Sequence, residues 1–371
     1  MHIAENAVLA VYDRILRTGP WSPPGVSLIA ARKMWPVTTG EHTVVAVLDT
    51  GVDYKHPDLA KNIIDGISVV PGQKQYTDDN GHGTHVAGII AANKSLLGVA
   101  PGTKILVVRV FDQNGQGSNS NVARGIEWAT RWRGPKKERV NVINLSLGGP
   151  IPNSYLYQKI IEAIKAGITV VCAAGNSGDG SEQKREISYP AYYKETIAVG
   201  AVDLQSRIAS FSNSNKHIDL VAPGVETYST YPGSRYVKLS GTSMATPHIS
   251  GSVALIYSRW FKRFEKYPSP EMINTLLQYQ SIDLGKVGFD ELYGYGLFSF
   301  NPDGGKAIVV TSGEQYCEIN RKQYPLPVVP STNKGQMCGS YNALAEILGY
   351  DALFIPAGSE NNQQDLMQIW C

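Results

Sequence analysis

A chain of 371 residues, 43% of them hydrophobic, can bury one large domain and a smaller one without disulfide support. Lys and Arg number 34 against 32 Asp and Glu, a formal net charge of +2, so no strong field draws in nucleic acid or an anionic membrane. The longest apolar runs, such as Ile168 to Ala174, fall far short of the roughly 20 residues that cross a bilayer, so no transmembrane helix is expected.

At the amino terminus Glu5, Asp13, Arg14 and Arg17 interrupt the apolar residues, unlike a secretory leader, which predicts a cytoplasmic location. Reduced thiols are then expected at Cys172, Cys317, Cys338 and Cys371. From about Thr43 to Ser299, short β-branched runs alternate with helical stretches. A strand over Val44 to Leu48 is followed by a helix over His82 to Ala92, and a strand over Ile105 to Val110 by a helix over Asn119 to Arg131. Next come a strand over Val142 to Leu147, a helix over Tyr155 to Ala166, and strands over Ile168 to Ala174 and Thr196 to Val202. A long helix from Ser243 to Lys262 closes the series. The alternation predicts an α/β fold, a doubly wound and mostly parallel sheet with helices on both faces.

After Asn301-Pro302-Asp303-Gly304-Gly305 the character changes. Strands over Ala307 to Thr311 and Tyr316 to Ile319 and a helix over Ser340 to Leu348, ended by Gly349, predict a small α+β domain. Tyr341, Leu344, Ile347 and Leu348 fall on one face of that helix. The expected organisation is an amino-terminal extension over 1–24, a main domain over 25–304 and a tail domain over 305–371.

Three separated segments carry chemistry: Leu48-Asp49-Thr50-Gly51, Gly81-His82-Gly83-Thr84-His85, and Gly241-Thr242-Ser243-Met244-Ala245-Thr246-Pro247-His248. Asp49 ends the first strand, His82 opens a helix, and Ser243 begins the long helix, whose first turn is expected to accommodate Pro247. All three therefore lie at the carboxyl rim of a parallel sheet, where ligands bind. A serine hydroxyl becomes a useful nucleophile when an imidazole takes its proton and a carboxylate fixes that imidazole's tautomer. A zinc site needs histidines at i and i+4 with a glutamate, which the His82 and His85 pair lacks. Asp-Thr-Gly also occurs in aspartic proteases, but that reading leaves His82 and Ser243 unexplained. His56, His85 and His248 read as packed structural histidines. Cys172 reads as a small core residue, with a thiol reachable by oxidants or heavy metals as the alternative.

Taken together, these segments resemble the subtilisin-type serine proteases, and the likeness runs from about Gly25 to Phe300. It is strongest to bacterial intracellular subtilisins, through Trp132-Arg133-Gly134-Pro135-Lys136, Ser146-Leu147-Gly148-Gly149-Pro150 and Val171-Cys172-Ala173-Ala174-Gly175-Asn176. The resemblance implies a serine endopeptidase with Asp49, His82 and Ser243 as triad and Asn176 as oxyanion-hole side chain. It implies that an extended substrate pairs with Ser146, Leu147, Gly148 and Gly149 on one side and with Gly115-Gln116-Gly117 on the other. Ala173, Ala174, Gly175 and Ser188 would form a roomy pocket for large apolar or aromatic side chains. Asn119 stands where relatives often carry an aromatic wall. Structural calcium is implied at Asp58 with the Asn93 to Leu97 loop, or at the carbonyls of Ala191, Tyr193 and Thr196 with Asp219. Residues 1–24 occupy the place of an inhibitory extension, without its usual Leu-Ile-Pro-Tyr sequence. The tail, through Ala345-Glu346-Ile347-Leu348-Gly349-Tyr350, resembles the small domain named after the copper amine oxidase amino terminus. All seven histidines precede residue 249, which leaves it no imidazole ligand for copper. Docking or homodimerisation is its expected role. The expected partners are protein or peptide substrates and the chain's own extension, with no nucleic acid or membrane. A catalytically silent peptide-binding protein is the alternative from another class.

Overall fold

The computed structural model describes residues 20–301 in full. Outside them it describes the backbone of strand segments within 9–11, 308–311, 316–319, 322–325, 351–352 and 366–370. Two compact units result, Met1–Ser299 and Phe300–Cys371.

In the first unit the strands are β1 (Leu9–Val11), β2 (Val44–Asp49), β3 (Ile63–Ser68), β4 (Lys104–Arg109), β5 (Val142–Leu145) and β6 (Thr169–Ala173). They continue with β7 (Ile197–Val202), β8 (Leu220–Pro223), β9 (Thr227–Tyr231), β10 (Arg235–Leu239), β11 (Ser281–Ile282) and β12 (Leu297–Phe298). The helices are α1 (Pro24–Leu28), α2 (His82–Ala91), α3 (Asn119–Arg131), α4 (Ser154–Lys165), α5 (Thr242–Phe264) and α6 (Pro270–Tyr279).

Nine strands form one sheet in the order β11-β12-β8-β7-β6-β5-β2-β4-β3, and every neighbouring pair is parallel except β11 with β12. β2, β5, β6 and β7 are buried along their whole length, which is why they read as continuous apolar runs. Val44, Ala46 and Leu48 point into a core shared with Val122, Ile126, Leu156 and Ile160 of α3 and α4. The alternate residues Val45 and Val47 face away from it, with α2 and α5 packed against each other and against β2. Local chemistry starts the helices. Ser118 Oγ accepts from Asn121 N at 3.1 Å, Asn153 Oδ1 from Leu156 N at 2.9 Å, and Ser269 Oγ from Met272 N at 3.2 Å ahead of Pro270.

β1, β10 and β9 make a separate antiparallel sheet, with Leu9 opposite Lys238 and Val11 opposite Val237. The second unit is a five-stranded antiparallel sheet of β13 (Ile308–Thr311), β14 (Tyr316–Ile319), β15 (Lys322–Pro325), β16 (Asp351–Ala352) and β17 (Leu366–Trp370), ordered β15-β14-β13-β17-β16. The helix expected over Ser340 to Leu348 lies outside the described residues, as does most of the extension over 1–24.

Pro247 falls in the second turn of α5, not the first. Lacking an N–H, it leaves the Ser243 carbonyl without its donor four residues on. Ser146 Oγ supplies the missing hydrogen bond at 2.8 Å, so the proline's cost is met by a contact at the site itself.

Candidate active site

Strand order assembles the rim. β4, β2, β5 and β6 are neighbours, so their carboxyl ends present, side by side, the 109–117 loop, Asp49, Ser146 to Gly149 and Ala173 to Asn176. The chain runs from β2 outward to β3 and β4 on one side and to β5 and β6 on the other. The crevice thus opens where the winding direction reverses.

Asp49 is fully buried at the last position of β2. His82 Nδ1 lies 2.8 Å from Asp49 Oδ1 and 2.9 Å from Oδ2, and Thr50 N donates to Oδ1 at 2.8 Å. A carboxylate, which can only accept, holds that imidazole nitrogen as the N–H donor and leaves Nε2 as the acceptor. Nε2 is buried and carries no hydrogen bond. α2 can bring His82 so close because Gly83 sits against Gly51 O and the Asp49 side chain, where any Cβ would collide.

Ser243 is buried in the first turn of α5, and its Oγ donates to Ser146 O at 3.2 Å. A relay fixes that strand end. Ser250 Oγ donates to Asn144 Oδ1 at 2.8 Å, Asn144 Nδ2 to Ser146 Oγ at 3.0 Å, and Ser146 Oγ to Ser243 O. Asn176 Oδ1 accepts from Thr242 N at 2.9 Å and Thr242 Oγ1 at 2.8 Å, while Gly175 N donates to Thr242 Oγ1 at 3.1 Å. The amide's acceptor is thereby spent and its Nδ2 has no partner among the described residues. The residue before the serine thus aims the amide, a role the sequence reading left unassigned.

The remaining expected residues gather around this point. Gly149 and Tyr189 exchange both backbone hydrogen bonds, at 3.0 and 2.8 Å, tying the Ser146 to Gly149 segment to the loop that carries Ser188. Gly148 and Gly175 both face the Ser188 side chain, and a methyl group on Gly148 would strike its Oγ. Leu147, Ala173 and Ala174 are buried. Gly115 adopts φ +71°, and Gly117 packs on Phe111 just beyond β4.

The two expected cation groups differ. Asp58 Oδ1 accepts from Ser95 N at 3.0 Å, and Oδ2 from Leu96 N at 2.7 Å and Tyr236 Oη at 3.0 Å. Calcium takes six to eight oxygens. Here the short loop turns N–H groups toward the carboxylate, so Asp58 does not fit a cation and that expectation is corrected. At the second group Thr196 Oγ1 donates to Tyr193 O at 2.8 Å, and Ala198 N donates to Asp219 Oδ2 at 2.8 Å. Burial pushes the Asp219 carboxyl up to about 7. Asn274, hydrogen-bonded to it, has a buried Oδ1 without a partner, so oxygens of the right kind are present there. Among the described residues no three His, Cys, Asp or Glu side chains cluster as metal ligands. Burial also raises the Cys172 thiol, which fits the small-core-residue reading.

The profile of the subtilase family, peptidase S8, matches residues 40–296. The chain belongs to the subtilase family. It is 46% identical over 260 residues to the major intracellular serine protease of Bacillus subtilis, covering 66% of this chain and 77% of that protein. Identity is 41% over 271 residues to an intracellular serine protease of Paenibacillus polymyxa, 71% of this chain and 81% of the relative. Subtilisin Savinase of Lederbergia lenta is 45% identical over 282 residues, 75% of this chain and 96% of the relative. This subtilase is a serine endopeptidase, with the mainly parallel α/β sheet of its family. No helix among its described residues is long and apolar enough to cross a membrane.

Proposed function

We propose that this subtilase cleaves exposed segments of proteins through an acyl-enzyme on Ser243. The observation that carries this reading is the His82 ring, held by both Asp49 oxygens through Nδ1 and unpaired at Nε2, on a helix packed against α5, whose first turn holds Ser243. Ser243 Oγ exchanges its bond to Ser146 O for one to Nε2, loses its proton there, and forms a bond to the scissile carbonyl carbon. Apo hydrogen bonds at such sites are often loose and tighten with substrate. Asn176 Nδ2 and Ser243 N receive the developing oxyanion, and the start of α5 adds its positive dipole end. His82 returns the proton to the leaving amine, and water repeats the sequence to free the enzyme.

The substrate would lie as an added strand between Gly115–Gly117 and Ser146–Gly149. The Ala173–Gly175 walls and Ser188 favour large apolar or aromatic residues before the cut, within broad specificity. A calcium ion is assigned to Asp219 with the carbonyls of Ala191, Tyr193 and Thr196. The names of two relatives, both intracellular serine proteases, support a cytoplasmic location. We assign 1–24 to an inhibitory extension, 25–304 to catalysis and 305–371 to docking or homodimerisation.

A serine-directed fluorophosphonate probe tests the chemistry. Ser243 is labelled in the wild type, and denatured casein is digested; Ser243→Ala is neither labelled nor active. A full-length and a Gly25-start protein that both stay unlabelled at Ser243 would overturn the reading in favour of a silent peptide binder. Equal activity of those two forms would remove the inhibitory role from residues 1–24.

A further inference from the structure

Asp78 lies outside the groups assigned to the chemistry, yet its buried carboxylate takes five hydrogen bonds from neutral donors. Oδ1 accepts from Thr50 Oγ1 at 2.8 Å, Asn80 N at 3.0 Å and Gly81 N at 2.8 Å. Oδ2 accepts from Thr84 N at 2.9 Å and Thr84 Oγ1 at 2.6 Å. Burying a carboxylate away from a cation costs several kcal/mol unless donors surround it. This network is complete.

Its donors come from both members of the acid–base pair's surroundings. Thr50 follows Asp49 and donates its N–H to Asp49 Oδ1, and Thr50 Oγ1 also accepts from Gly83 N at 3.0 Å. Gly81, Gly83 and Thr84 flank His82. One carboxylate therefore ties the end of β2 to the first turn of α2, along a path separate from the direct Asp49–His82 contact. The loop holding Asp78 is clamped in turn. Arg109 Nη1 binds Thr77 O and lies 3.0 Å from Asp79 Oδ2, while its Nε donates to Phe111 O at 3.1 Å. Arg109 pairs with Asp49 in the β2–β4 register, so the anchor stands on the strand beside the catalytic acid.

We propose that Asp78, acting through Thr50 and the α2 amides, is the positioning residue that sets the Asp49–His82 geometry. The proposal rests on the triad reading above. A simple helix cap would touch Gly81 and Thr84 but has no use for Thr50. Asp78→Asn keeps the shape but turns one acceptor into a donor facing N–H or O–H groups. Thr50→Val removes two bonds, the one to Asp78 Oδ1 and the one from Gly83 N, while keeping the volume, and Thr50→Ser keeps the hydroxyl.

The test measures kcat, KM and thermal stability for these variants on a chromogenic peptide, alone and in an Asp49→Ala background, after fluorophosphonate titration of Ser243. Asp78→Asn is expected to lower kcat about 10- to 100-fold with little change in KM, the scale of losing a partner that orients a reacting group. Thr50→Val lowers kcat in the same direction at temperatures where the folded form still dominates, beyond the stability lost with its two bonds, and Thr50→Ser restores both. In the Asp49→Ala background the Asp78→Asn effect shrinks to about threefold or less, because members of one unit are not additive. Thr50→Val with wild-type kcat, or equal Asp78→Asn losses in both backgrounds, overturns the proposal. Wild-type protein unlabelled at Ser243 overturns the triad reading and the proposal with it. The Thr50 pair keeps the test decisive if Asp78→Asn does not fold.

Discussion

The two ends of α2 solve the same electrostatic problem for different purposes. Asp78 at its start and Asp58 beyond its end are both buried carboxylates saturated by backbone N–H and hydroxyl donors, without a salt bridge among the described residues. At the start, the donors bracket Asp49 and His82. At the end, they are Ser95, Leu96 and Tyr236, which close the loop after the helix and pin it to β10. The same contrast divides the helix's two histidines. His82 faces Asp49, whereas His85, one turn on, meets only the carbonyls of Thr227 and Val237 at 3.0 and 3.2 Å. An imidazole with an anion beside it can carry the charge that catalysis demands. One enclosed by carbonyls and apolar residues stays neutral and serves packing alone.

The largest expected effect tests that division by acid. Burial pushes His85 down to about 3 and His248 down to about 4, from an ordinary value near 6.5. The unfolded chain therefore binds protons that the folded one refuses, so this stability is present above pH 6.5 and lost as pH falls. Asp219, raised to about 7, works in the opposite sense and loses stability as pH rises from about 4 to 7. In an Asp219→Asn background the two histidines should cost together about 4 kcal/mol between pH 7 and pH 5, at ~1.4 kcal/mol per pH unit each. Denaturant titrations at several pH values read this directly. A flat profile would show that His85 and His248 take up protons in the fold despite their burial.

Next in size is a change confined to the rim. Asn176→Asp keeps the acceptor for Thr242 N and Oγ1 but replaces the donor by an anion. It should lower kcat about 100- to 1000-fold, a magnitude known from removing such a donor in a subtilisin. Stability should hold, because the fold uses the oxygen and the chemistry uses the nitrogen. A variant that loses stability but little kcat would place Asn176 with the structural groups.

A smaller effect is expected at the other end. Asp58→Asn leaves one of its N–H or O–H donors unsatisfied, which costs about 1–3 kcal/mol of stability and leaves kcat unchanged. The loss should be the same with calcium or a chelator, since donors and not carbonyl oxygens face the Asp58 carboxylate. Asp219→Asn should instead abolish the stabilisation by calcium, which reaches about 2.7 kcal/mol at a hundredfold excess over Kd. A calcium-dependent penalty at Asp58 would restore the cation site that its hydrogen bonds argue against.

These contrasts mark how far the sequence could be read. The rim was legible because β2, β5 and β6 are apolar on both faces and end on motif residues, so element type and chemistry pointed to one place. β3 was missed because Asp65 and Gly66 interrupt an edge strand, and Asp65 is spent on Trp132 Nε1 at 2.7 Å. The β9–β10 pair was missed because its Thr, Ser, Tyr and Lys residues carry little apolar signal. α6 announced itself through Ser269-Pro270, a cap signal that was not used. Asp78 stands four residues before His82, but its partner Thr50 is 28 residues away, and Tyr236 is 178 residues from Asp58. Spacing along a chain says which residues share an element. It does not say which distant hydroxyl will satisfy a buried carboxylate, and that decided both ends of α2.

The finest cut of the comparison removes one hydroxyl from each end. Tyr236→Phe deletes a single donor to Asp58 while keeping the ring that stacks on Tyr228, centroids 5.9 Å apart, and meets His56 edge-on at 5.2 Å. Two backbone N–H groups remain on that carboxylate, so the loss should be about 1 kcal/mol, near the net value of one hydrogen bond. It should appear in thermal unfolding and not in kcat, because Ser95, Leu96 and Tyr236 reach neither Asp49 nor His82. Thr50→Val removes from Asp78 a hydroxyl that also accepts from Gly83 N, and its effect should appear in kcat as well as in unfolding. Measured side by side, the two variants ask whether similar hydrogen bonds on similar carboxylates act by what they hold. Matching losses of stability with no change in either kcat would mean that α2 is capped alike at both ends and that its catalytic end has no special tether.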